Sequence, residues 1–353
     1  MKLTWSKMDE HLSAVTPNFK LVEKVAAFDL DGTLITTKSK KKFPQDENDW
    51  VWNYPNVPNE LQDLVKNGFC IIVVSNQGGI KDNEAKKAEE WMTKLSNVVN
   101  AIGIEIKVLC SISKNKYRKP NNTFIEEFFP SKMHKDSFYC GDAVGRDGDF
   151  SDTDYKFAIN AGIDFKTPEN VFLGKTNNLP EIDYCIDINK RYKNSAFNFT
   201  PQNKEMIIMV GFPASGKSTI SRNLAQNFKY AIINQDTMKT VAKCKKEATD
   251  KMRSDICIVI DATNPSKEKR KEWIDLAKSY MYTVRVIQMT TSMDRAKHNN
   301  CYRALNGGSQ IPDIAYNVYK SKFEEPDLSE GVVEIIKQKP GYPDDENYYR
   351  YLF

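Results

Sequence analysis

The chain has 353 residues, of which 40% are apolar and 28% are charged, and its net charge is only +4. At about 150 residues per domain, this length predicts two domains, and the apolar fraction excludes a wholly disordered chain. No apolar run approaches the roughly 18 residues of a membrane span, so we expect no membrane association. So small a net charge does not predict nucleic-acid binding, and any such contact must rely on local patches.

The N-terminus and the cysteines are typical of an intracellular protein. The first residues, MKLTWSKMDEHLS, lack the apolar run of a secretory signal, so we expect a protein that is not secreted. The seven cysteines form no C-x-x-C pair and no zinc spacing. Four of them lie in apolar runs, and we expect these to be small buried side chains rather than ligands or disulfides: Cys70, Cys110, Cys140 and Cys257.

In the first half of the chain, apolar and β-branched runs alternate with helix-like segments. We predict strands at 25–30, 70–74, 106–110 and 137–141. Between the second and third runs, the segment from Asn83 to Val99 carries apolar residues at helical spacing. Continuous apolar strands that alternate with helices predict an α/β unit with a parallel sheet covered on both faces.

The second half of the chain repeats this pattern. We predict strands at 206–210, 230–234, 256–260 and 283–289. The polar segment 190–205 separates the two units, and most of the excess positive charge lies after it. We therefore predict two α/β domains with parallel sheets, at 1–199 and 200–353.

Two aspartates, Asp29 and Asp31, directly follow the first predicted strand. Ligands of an open parallel sheet bind at this carboxyl edge. Two such residues can share one Mg²⁺, one through its side chain and the other through its carbonyl. The first can also attack phosphorus, and the second can protonate the leaving oxygen. Alone, this pair could equally be a surface turn.

Three further polar groups follow predicted strands in the expected order. Ser75 and Asn76 offer a hydroxyl and main-chain amides to a phosphoryl oxygen, and Lys119 offers a neutralising charge. Asp142 adds another carboxylate for a metal. Each residue alone could be a helix cap or a solvated side chain, but four groups in register favour a phosphoryl site. Two more aspartates in the following loop are candidates for the metal: Asp149 and Asp154.

A phosphate-binding loop follows the first strand of the second unit and precedes a helix-like stretch. It matches G-x-x-x-x-G-K-[ST], and this strand–loop–helix context supports the motif. The backbone amides of this loop and the dipole of the helix that follows favour the binding of phosphates. Lys217 can reach the β- and γ-phosphates, and Ser218 can hold Mg²⁺. The predicted ATP-binding loop comprises Gly211, Phe212, Pro213, Ala214, Ser215, Gly216, Lys217, Ser218 and Thr219.

Three other positions in the second unit suit phosphoryl transfer. Asp236 follows a strand and can accept a proton from an attacking hydroxyl, although a helix N-cap is the alternative. Asp261 follows another strand and resembles either a Walker-B-type acid or a residue that orients a nucleotide. The basic stretch 294–303 could form a lid that supplies an arginine, or simply a solvated helix face. His298, within that stretch, could contact a lid or pack.

The first set of motifs resembles the haloacid-dehalogenase-type phosphatases. The resemblance implies a haloacid-dehalogenase-like sheet in which Asp29 becomes an aspartyl-phosphate and Asp31 serves as acid and base. It also implies that Ser75 and Lys119 hold the phosphate and that Asp142 completes a Mg²⁺ site.

Local sequence from about residue 20 to 340 is similar to the bifunctional polynucleotide kinase 3′-phosphatases, in which a P-loop kinase follows a phosphatase. The segments that carry this resemblance are FDLDGTLITT, DWVWNYPNVP, YRKP, GFPASGKST, DATNP, HNN and KSKFEEPDLSEG. Animal members carry an N-terminal phosphothreonine-binding module that the 24 residues before the first predicted strand cannot hold. They also commonly have arginine where this chain has Cys301, so the lid role passes to Arg303.

The resemblance implies an enzyme of strand-break repair that uses Mg²⁺ and ATP. It would remove a 3′-phosphate and phosphorylate a 5′-hydroxyl, on DNA ends or on RNA ends. We expect a monomer in the nucleus, with the mitochondrion or cytoplasm as further locations, and no recruitment through phosphothreonine scaffolds.

Two other functions are compatible with the motifs. Both superfamilies contain enzymes of small molecules, so the chain could fuse a small-molecule phosphatase with a small-molecule kinase. A repair scaffold with decayed catalysis is the other alternative, but the intact acidic and P-loop residues argue against it. Trp50, Trp52 and Tyr54 could stack on terminal bases or pack in the core. The final segment NYYRYLF could be packed or bind a partner.

Overall fold

A computed structural model describes residues 2–8, 10–80, 85–194 and 197–353. The chain divides into two compact units, of which the first comprises Met1–Tyr184 with Arg350–Phe353 and the second comprises Cys185–Tyr349. Both are α/β units built on largely parallel sheets, which confirms the predicted fold class. None of the helices in the described ranges is long and apolar enough to cross a membrane.

The division between the units lies before the predicted boundary at 199/200. The segment after Cys185 looks like a polar linker, but its aromatic residues pack within the second unit. Tyr192 stacks on Tyr342 with ring centres 4.3 Å apart, and Phe199 packs edge-on against Tyr230 at 5.9 Å. These contacts place the segment in the second unit, whereas the last four residues belong to the first.

The first unit carries a seven-stranded sheet in the order β1-β2-β7-β6-β3-β8-β9. The strands from β7 to β9 in this order run parallel, and β1 and β2 join antiparallel at one edge. The elements are β1 Thr4–Lys7, β2 His11–Val15, β3 Val25–Phe28, β4 Ile35–Thr36, β5 Val51–Trp52, α1 Val57–Lys66, β6 Cys70–Asn76, α2 Ala85–Ile102, β7 Ile106–Ser111, α3 Thr123–Phe128, β8 Phe138–Cys140, α4 Thr153–Ala161, β9 Asp164–Lys166 and α5 Pro168–Leu173.

The second unit carries a five-stranded, all-parallel sheet in the order β11-β12-β10-β13-β14. Its helices and strands are β10 Glu205–Val210, α6 Lys217–Phe228, β11 Ala231–Ile233, α7 Gln235–Met238, α8 Val241–Arg253, β12 Ile258–Ile260, α9 Lys267–Ser279, β13 Thr283–Met289, α10 Met293–Leu305, α11 Asp313–Lys322 and β14 Glu334–Gln338. Two short 3₁₀ helices span Leu328–Glu330 and Glu346–Tyr349.

Each central strand contributes to two apolar cores, one on either face of its sheet. Ala26 and Phe28 of β3 enter one cluster, whereas Val25 and Ala27 enter another. This alternation follows from the period of two in a strand. It explains why the strands in the middle of the sheets are apolar throughout, since neither face meets water.

All eight predicted strands are present, with ends shifted by at most two residues. The predicted helix from Asn83 is α2, which begins at Ala85, and Asn83 itself lies outside the described residues. Three of the four named cysteines are buried, but Cys257 is half-buried. The three aromatic residues between β4 and α1 that could have stacked on bases are partly buried against the core: Trp50, Trp52 and Tyr54.

Candidate active sites

The centre of the first site is a buried ion pair beyond the carboxyl ends of β3 and β6. Lys119 is only 3% exposed, and its Nζ lies 2.6 Å from Asp29 Oδ1 and 2.7 Å from Asp154 Oδ1. The same Nζ donates to the Val74 carbonyl at 3.0 Å and to the Tyr139 hydroxyl at 2.8 Å. Burial alone would lower the pKa of Lys119, but the two carboxylates raise it above its ordinary value. The lysine is therefore held as a cation.

Three carboxylates surround this lysine and form a candidate metal site. Oxygens of Asp29, Asp142 and Asp154 all lie within 4.8 Å of one another. Burial raises the pKa of Asp29 well above its usual range, although Lys119 opposes this effect. Burial and the Asp154 carboxylate raise the pKa of Asp142 to about 6. Three carboxylates thus lie together beside one ammonium, and their hard oxygen donors suit Mg²⁺.

The structure distinguishes between the two further aspartates that the sequence offered for the metal. Asp154 joins the cluster from the first turn of α4. Asp149 instead accepts from the main-chain amides of Val144 and Arg146 at 3.2 and 3.0 Å, and it pairs with the Arg146 guanidinium. Its carboxylate therefore stabilises the loop between β8 and α4.

Two glycines let the acidic residues come close together. Gly32 has φ +90°, and a Cβ there would overlap the Asp142 carboxylate; a Cβ on Gly141 would overlap Asp154. Thr33 donates to Asp142 at 3.2 Å, and Asn53 donates to the Gly32 carbonyl at 2.5 Å. The motif D-x-D-G-T thus supplies Asp29 and Asp31. It also supplies Gly32, which has no side chain and so lets the Asp142 carboxylate come close.

Asp31 is separated from the carboxylate cluster by its own partners. Its two oxygens accept from Lys94 Nζ at 3.0 Å and from Gln77 Nε2 at 2.6 Å. Lys94 lies on α2 and is 3% exposed, whereas the Asp31 side chain is 45% exposed. The side chain of Asp31 is thus directed to Lys94, and a metal role remains open only for its carbonyl. Sequence reasoning missed Lys94, although its position between the buried Trp91 and Leu95 was a signal.

The predicted phosphate-binding residues lie at the end of β6. Ser75 is 1% exposed, and its Oγ accepts from Gln77 Nε2 at 2.9 Å. Asn76 uses both ends of its side-chain amide on the main chain of Lys119, at 3.0 and 3.1 Å. The Asn76 side chain therefore positions the lysine, and only its main chain is available to a phosphate.

Arg118 lies beside this site without a hydrogen-bond partner for one of its nitrogens. Its Nη1 is buried, and an added Cβ on Gly78, in the loop after β6, would lie 3.1 Å from that nitrogen. Burial lowers the pKa of Arg118. The Nη1 of Arg118, the residue before Lys119, thus has no hydrogen-bond partner among the described residues.

The second site is the P-loop between β10 and α6. Gly216 caps α6 with φ +100°, and Gly211 has φ +153°. A Cβ on Gly211 would lie 2.8 Å from Ser215 Oγ, which is buried and has no partner among the described residues. Lys217 Nζ donates to the carbonyls of Gly211 and Phe212 at 3.0 and 2.6 Å. This concave backbone with an orphan hydroxyl and a lysine fits a phosphate group.

Side chains from beyond the motif brace the outer side of the P-loop. Thr291 donates to the Ser215 carbonyl at 2.8 Å, and Asn299 of α10 donates to the Ala214 carbonyl at 2.9 Å. Ala214 has φ +56°, so this support holds a backbone conformation that L-residues rarely adopt. Ser218 and Thr219, in the first turn of α6, are exposed toward solvent.

Asp236 lies on α7 and is not its N-cap. Asn234 fills that position, because its Oδ1 accepts from the amides of Asp236 and Thr237 at 2.8 and 3.3 Å. Asn234 Nδ2 also donates to Asp261 Oδ2 at 3.1 Å. The Asp236 carboxylate is therefore not engaged in capping. A cleft of about 820 Å³ opens beside these residues, with Gln235, Thr263, Trp273 and Phe323 in its walls.

The predicted lid stretch lies in helix α10, where Arg303 and His298 both have partners. Arg303 lies one turn of α10 beyond Asn299. Its guanidinium donates to Asn300 Oδ1 at 3.2 Å and to the Ser309 carbonyl at 2.7 Å. A contact from Arg303 to phosphate would require these bonds to open. His298 is fully buried, with its Nε2 2.8 Å from the Tyr348 carbonyl, and burial lowers its pKa to about 3. His298 is thus a packing residue.

Two family models match this chain, one in each unit. The Polynucleotide kinase 3 phosphatase family matches residues 24–172, and an AAA domain family matches 206–252 and 238–326. The chain is 35% identical to a bifunctional polynucleotide phosphatase/kinase of Schizosaccharomyces pombe, over 99% of this chain and 88% of the relative. The chain belongs to the bifunctional polynucleotide phosphatase/kinase family. The predicted resemblance is therefore confirmed.

Two further relatives match this chain over different lengths. A protein of Acanthamoeba polyphaga mimivirus is 33% identical over 94% of this chain and 89% of its own length. A polynucleotide 3′-phosphatase of Arabidopsis thaliana is 34% identical, but the match spans 43% of this chain and 24% of the relative. The mimivirus match thus spans nearly the whole of both proteins, whereas the Arabidopsis match spans less than half of each.

Proposed function

We propose that this protein heals the ends of nucleic-acid strand breaks, by removing a 3′-phosphate at the first site and phosphorylating a 5′-hydroxyl at the second. The observation that carries the proposal is the contact of Lys119 with Asp29 and Asp154 in one chain with an intact P-loop. Family membership supports a polynucleotide as the substrate of both sites. We further propose DNA as the nucleic acid, the nucleus as the location and a monomer as the active form.

In the phosphatase half, Asp29 would attack the phosphorus of the terminal phosphate while Asp31 donates a proton to the departing 3′-oxygen. Water would then attack the aspartyl-phosphate as Asp31 accepts its proton, which releases inorganic phosphate and restores Asp29. Lys119 and Ser75 would hold the phosphoryl oxygens. Asp29, Asp142 and Asp154 would hold Mg²⁺, which when bound neutralises the phosphoryl charge.

In the kinase half, the amides of the P-loop and Lys217 would bind the β- and γ-phosphates of ATP. Asp236 would accept the proton of the 5′-hydroxyl as that oxygen attacks the γ-phosphorus and ADP departs. The cleft beside Gln235 would receive the 5′-terminal nucleotide, since its volume is typical of small-ligand sites. Ser218 would hold Mg²⁺, Asp261 would orient the nucleotide, and Arg303 would contact the transferring phosphoryl group.

The test is a nicked DNA duplex with 3′-phosphate and 5′-hydroxyl ends, incubated with MgCl₂ and ATP. We expect both ends to be converted, so that added ligase seals the nick. Two comparison substrates are used. One is the same nicked substrate made of RNA, and the other is the small molecule p-nitrophenyl phosphate. Conversion of p-nitrophenyl phosphate alone would favour a small-molecule phosphatase, and a strong preference for the RNA nick would move the role to RNA repair.

A further inference from the structure

The last four residues, Arg350–Phe353, are here called the tail segment, and they pack within the first unit although residues 185–349 build the second. Tyr351 and Leu352 are only 8% and 6% exposed. The Leu352 amide donates to the Tyr184 hydroxyl at 2.8 Å, and the rings of Tyr351 and Tyr184 meet edge-on at 4.8 Å. The tail segment is therefore part of the fold of the phosphatase unit.

The tail segment contacts helix α4, which carries Asp154 of the carboxylate cluster. Lys156, two residues after Asp154, donates from its Nζ to the Phe353 carbonyl at 2.9 Å. That Nζ also lies 5.7 Å from the ring centre of Tyr351 and pairs with Asp152 at 2.7 Å. Lys156 is 5% exposed, so this ammonium is held between the start of α4 and the tail segment.

Asn160, at the other end of α4, joins the tail segment to the turn that carries the lysine of the site. Its Nδ2 donates to the Tyr351 carbonyl at 2.6 Å and to the Pro120 carbonyl at 2.8 Å, and its Oδ1 accepts the Tyr351 amide at 2.9 Å. Pro120 directly follows Lys119. One side chain thus fixes the tail segment, α4 and the lysine turn together.

A second bridge reinforces the first. Arg350 Nη1 donates to Asn122 Oδ1 at 2.7 Å and to Glu126 Oε1 at 2.8 Å. Asn122 in turn donates to the Asn160 carbonyl at 3.2 Å. The tail segment therefore holds both the backbone around Lys119 and the backbone around Asp154, whose side chains meet at 2.7 Å in the site.

We propose that the tail segment and Asn160 are positioning elements of the phosphatase site, which set the distance between Lys119 and Asp154. The proposal rests on the phosphatase function proposed above. The hydrogen bonds described above join the tail segment to residues near Lys119 and Asp154 rather than to those two side chains. Loss of the tail segment should therefore slow the phosphatase step, with little change in substrate affinity or in the kinase reaction.

The test uses full-length protein, Asn160→Ala and a variant lacking residues 350–353, each assayed on a 3′-phosphorylated oligonucleotide and on a 5′-hydroxyl oligonucleotide with ATP. We expect phosphatase kcat to fall about 10- to 100-fold, as when residues that support a metal site are removed, with KM within about threefold. Kinase turnover should stay within about twofold. The matched control is Asn194→Ala, because Asn194 makes the same pair of bonds to the main chain of Tyr342 in the second unit, at 2.8 and 2.6 Å.

Two additions make each outcome decisive. Hydrolysis of p-nitrophenyl phosphate reports on the site even if the oligonucleotide is not a substrate, which separates failure of this proposal from failure of the proposed function. Hydrogen exchange of residues 117–122 and 153–161 should accelerate in both tail-related variants and not in Asn194→Ala. Unchanged exchange in these segments, or phosphatase kcat within twofold of wild type in both variants, would overturn the proposal.

Discussion

The two sites of this protein differ in how their charges are balanced before any substrate binds. In the phosphatase site, the lysine that would meet the phosphate already contacts two carboxylates, and three carboxylates face one another. In the P-loop, the lysine contacts two main-chain carbonyls of its own loop. The first site is therefore assembled by opposite charges, and the second by backbone geometry.

This difference has opposite effects on the two lysines. Both are buried, and burial alone would lower both pKa values. Asp154 and Asp29 raise the pKa of Lys119 above its ordinary value, whereas the pKa of Lys217 falls to about 8 because Asp261 and Asp236 compensate only in part. Charge at the first site is thus built in, while charge at the second depends on what binds there.

The largest expected effects come from removing the central group of each site. Asp29→Asn should abolish phosphatase activity on a 3′-phosphorylated oligonucleotide, by about 10³-fold or more, because the change removes the proposed nucleophile. Lys217→Ala should do the same to 5′ phosphorylation. Each variant should retain the other activity, measured on separately labelled ends. Loss of both activities from one substitution in a folded protein would show that the sites are not independent.

A smaller effect separates the two aspartates of the loop after β8. Asp154→Asn should lower phosphatase kcat about 100-fold and raise the Mg²⁺ concentration needed for half-maximal rate, since it removes one carboxylate of the cluster. Asp149→Asn should change kcat less than about threefold and act on stability, because Asp149 bonds Arg146 and main-chain amides. Magnesium titrations of the two variants make the comparison, and equal effects would contradict the assigned cluster.

Lys94 tests whether the phosphatase site also depends on a charge pair outside the cluster. Lys94→Met should lower phosphatase kcat about tenfold, because among the described residues the Asp31 side chain would keep Gln77 alone as a partner. Unfolding temperature should change little, since methionine suits the apolar face of α2 and the partly exposed Asp31 stays hydrated. The control is Lys86→Met on the same helix. The Lys86 side chain is 89% exposed, and its Nζ lies 3.8 Å from Glu90 Oε1. Equal activity of the two variants would remove Lys94 from the site.

The two sites also differ in how far the sequence predicts them. The P-loop is one continuous motif between a strand and a helix, so the backbone of the second site could be predicted almost completely. The ends of β3, β6 and β8 likewise predict Asp29, Ser75 and Asp142, because parallel strands bring their carboxyl ends to one edge. The fold class and the eight predicted strands follow from the same apolar runs.

The parts of the sites that the sequence does not predict depend on contacts between residues far apart in the chain. The apolar neighbours of Lys94 on α2 indicate that it faces the core, but nothing local shows that its Nζ reaches Asp31. Asp154 and Asp149 look alike until the loop after β8 turns one of them inward. Arg350 lies 228 residues from Asn122, its partner, so no periodicity could place the tail segment. Packing decides these cases, and local sequence does not encode it.

The smallest predicted effect is a dependence of ATP binding at the P-loop on pH above 8. Because burial lowers the pKa of Lys217 to about 8, the free protein loses this charge as the pH rises through 8, and ATP binding must then restore the proton. The dissociation constant for ATP should rise toward tenfold per pH unit above 8. Calorimetry in buffers of different ionisation enthalpy at pH 8.5 should detect proton uptake. Lys217→Arg, which does not titrate there, should show none, and a flat wild-type profile would mean that Lys217 stays charged in the free loop.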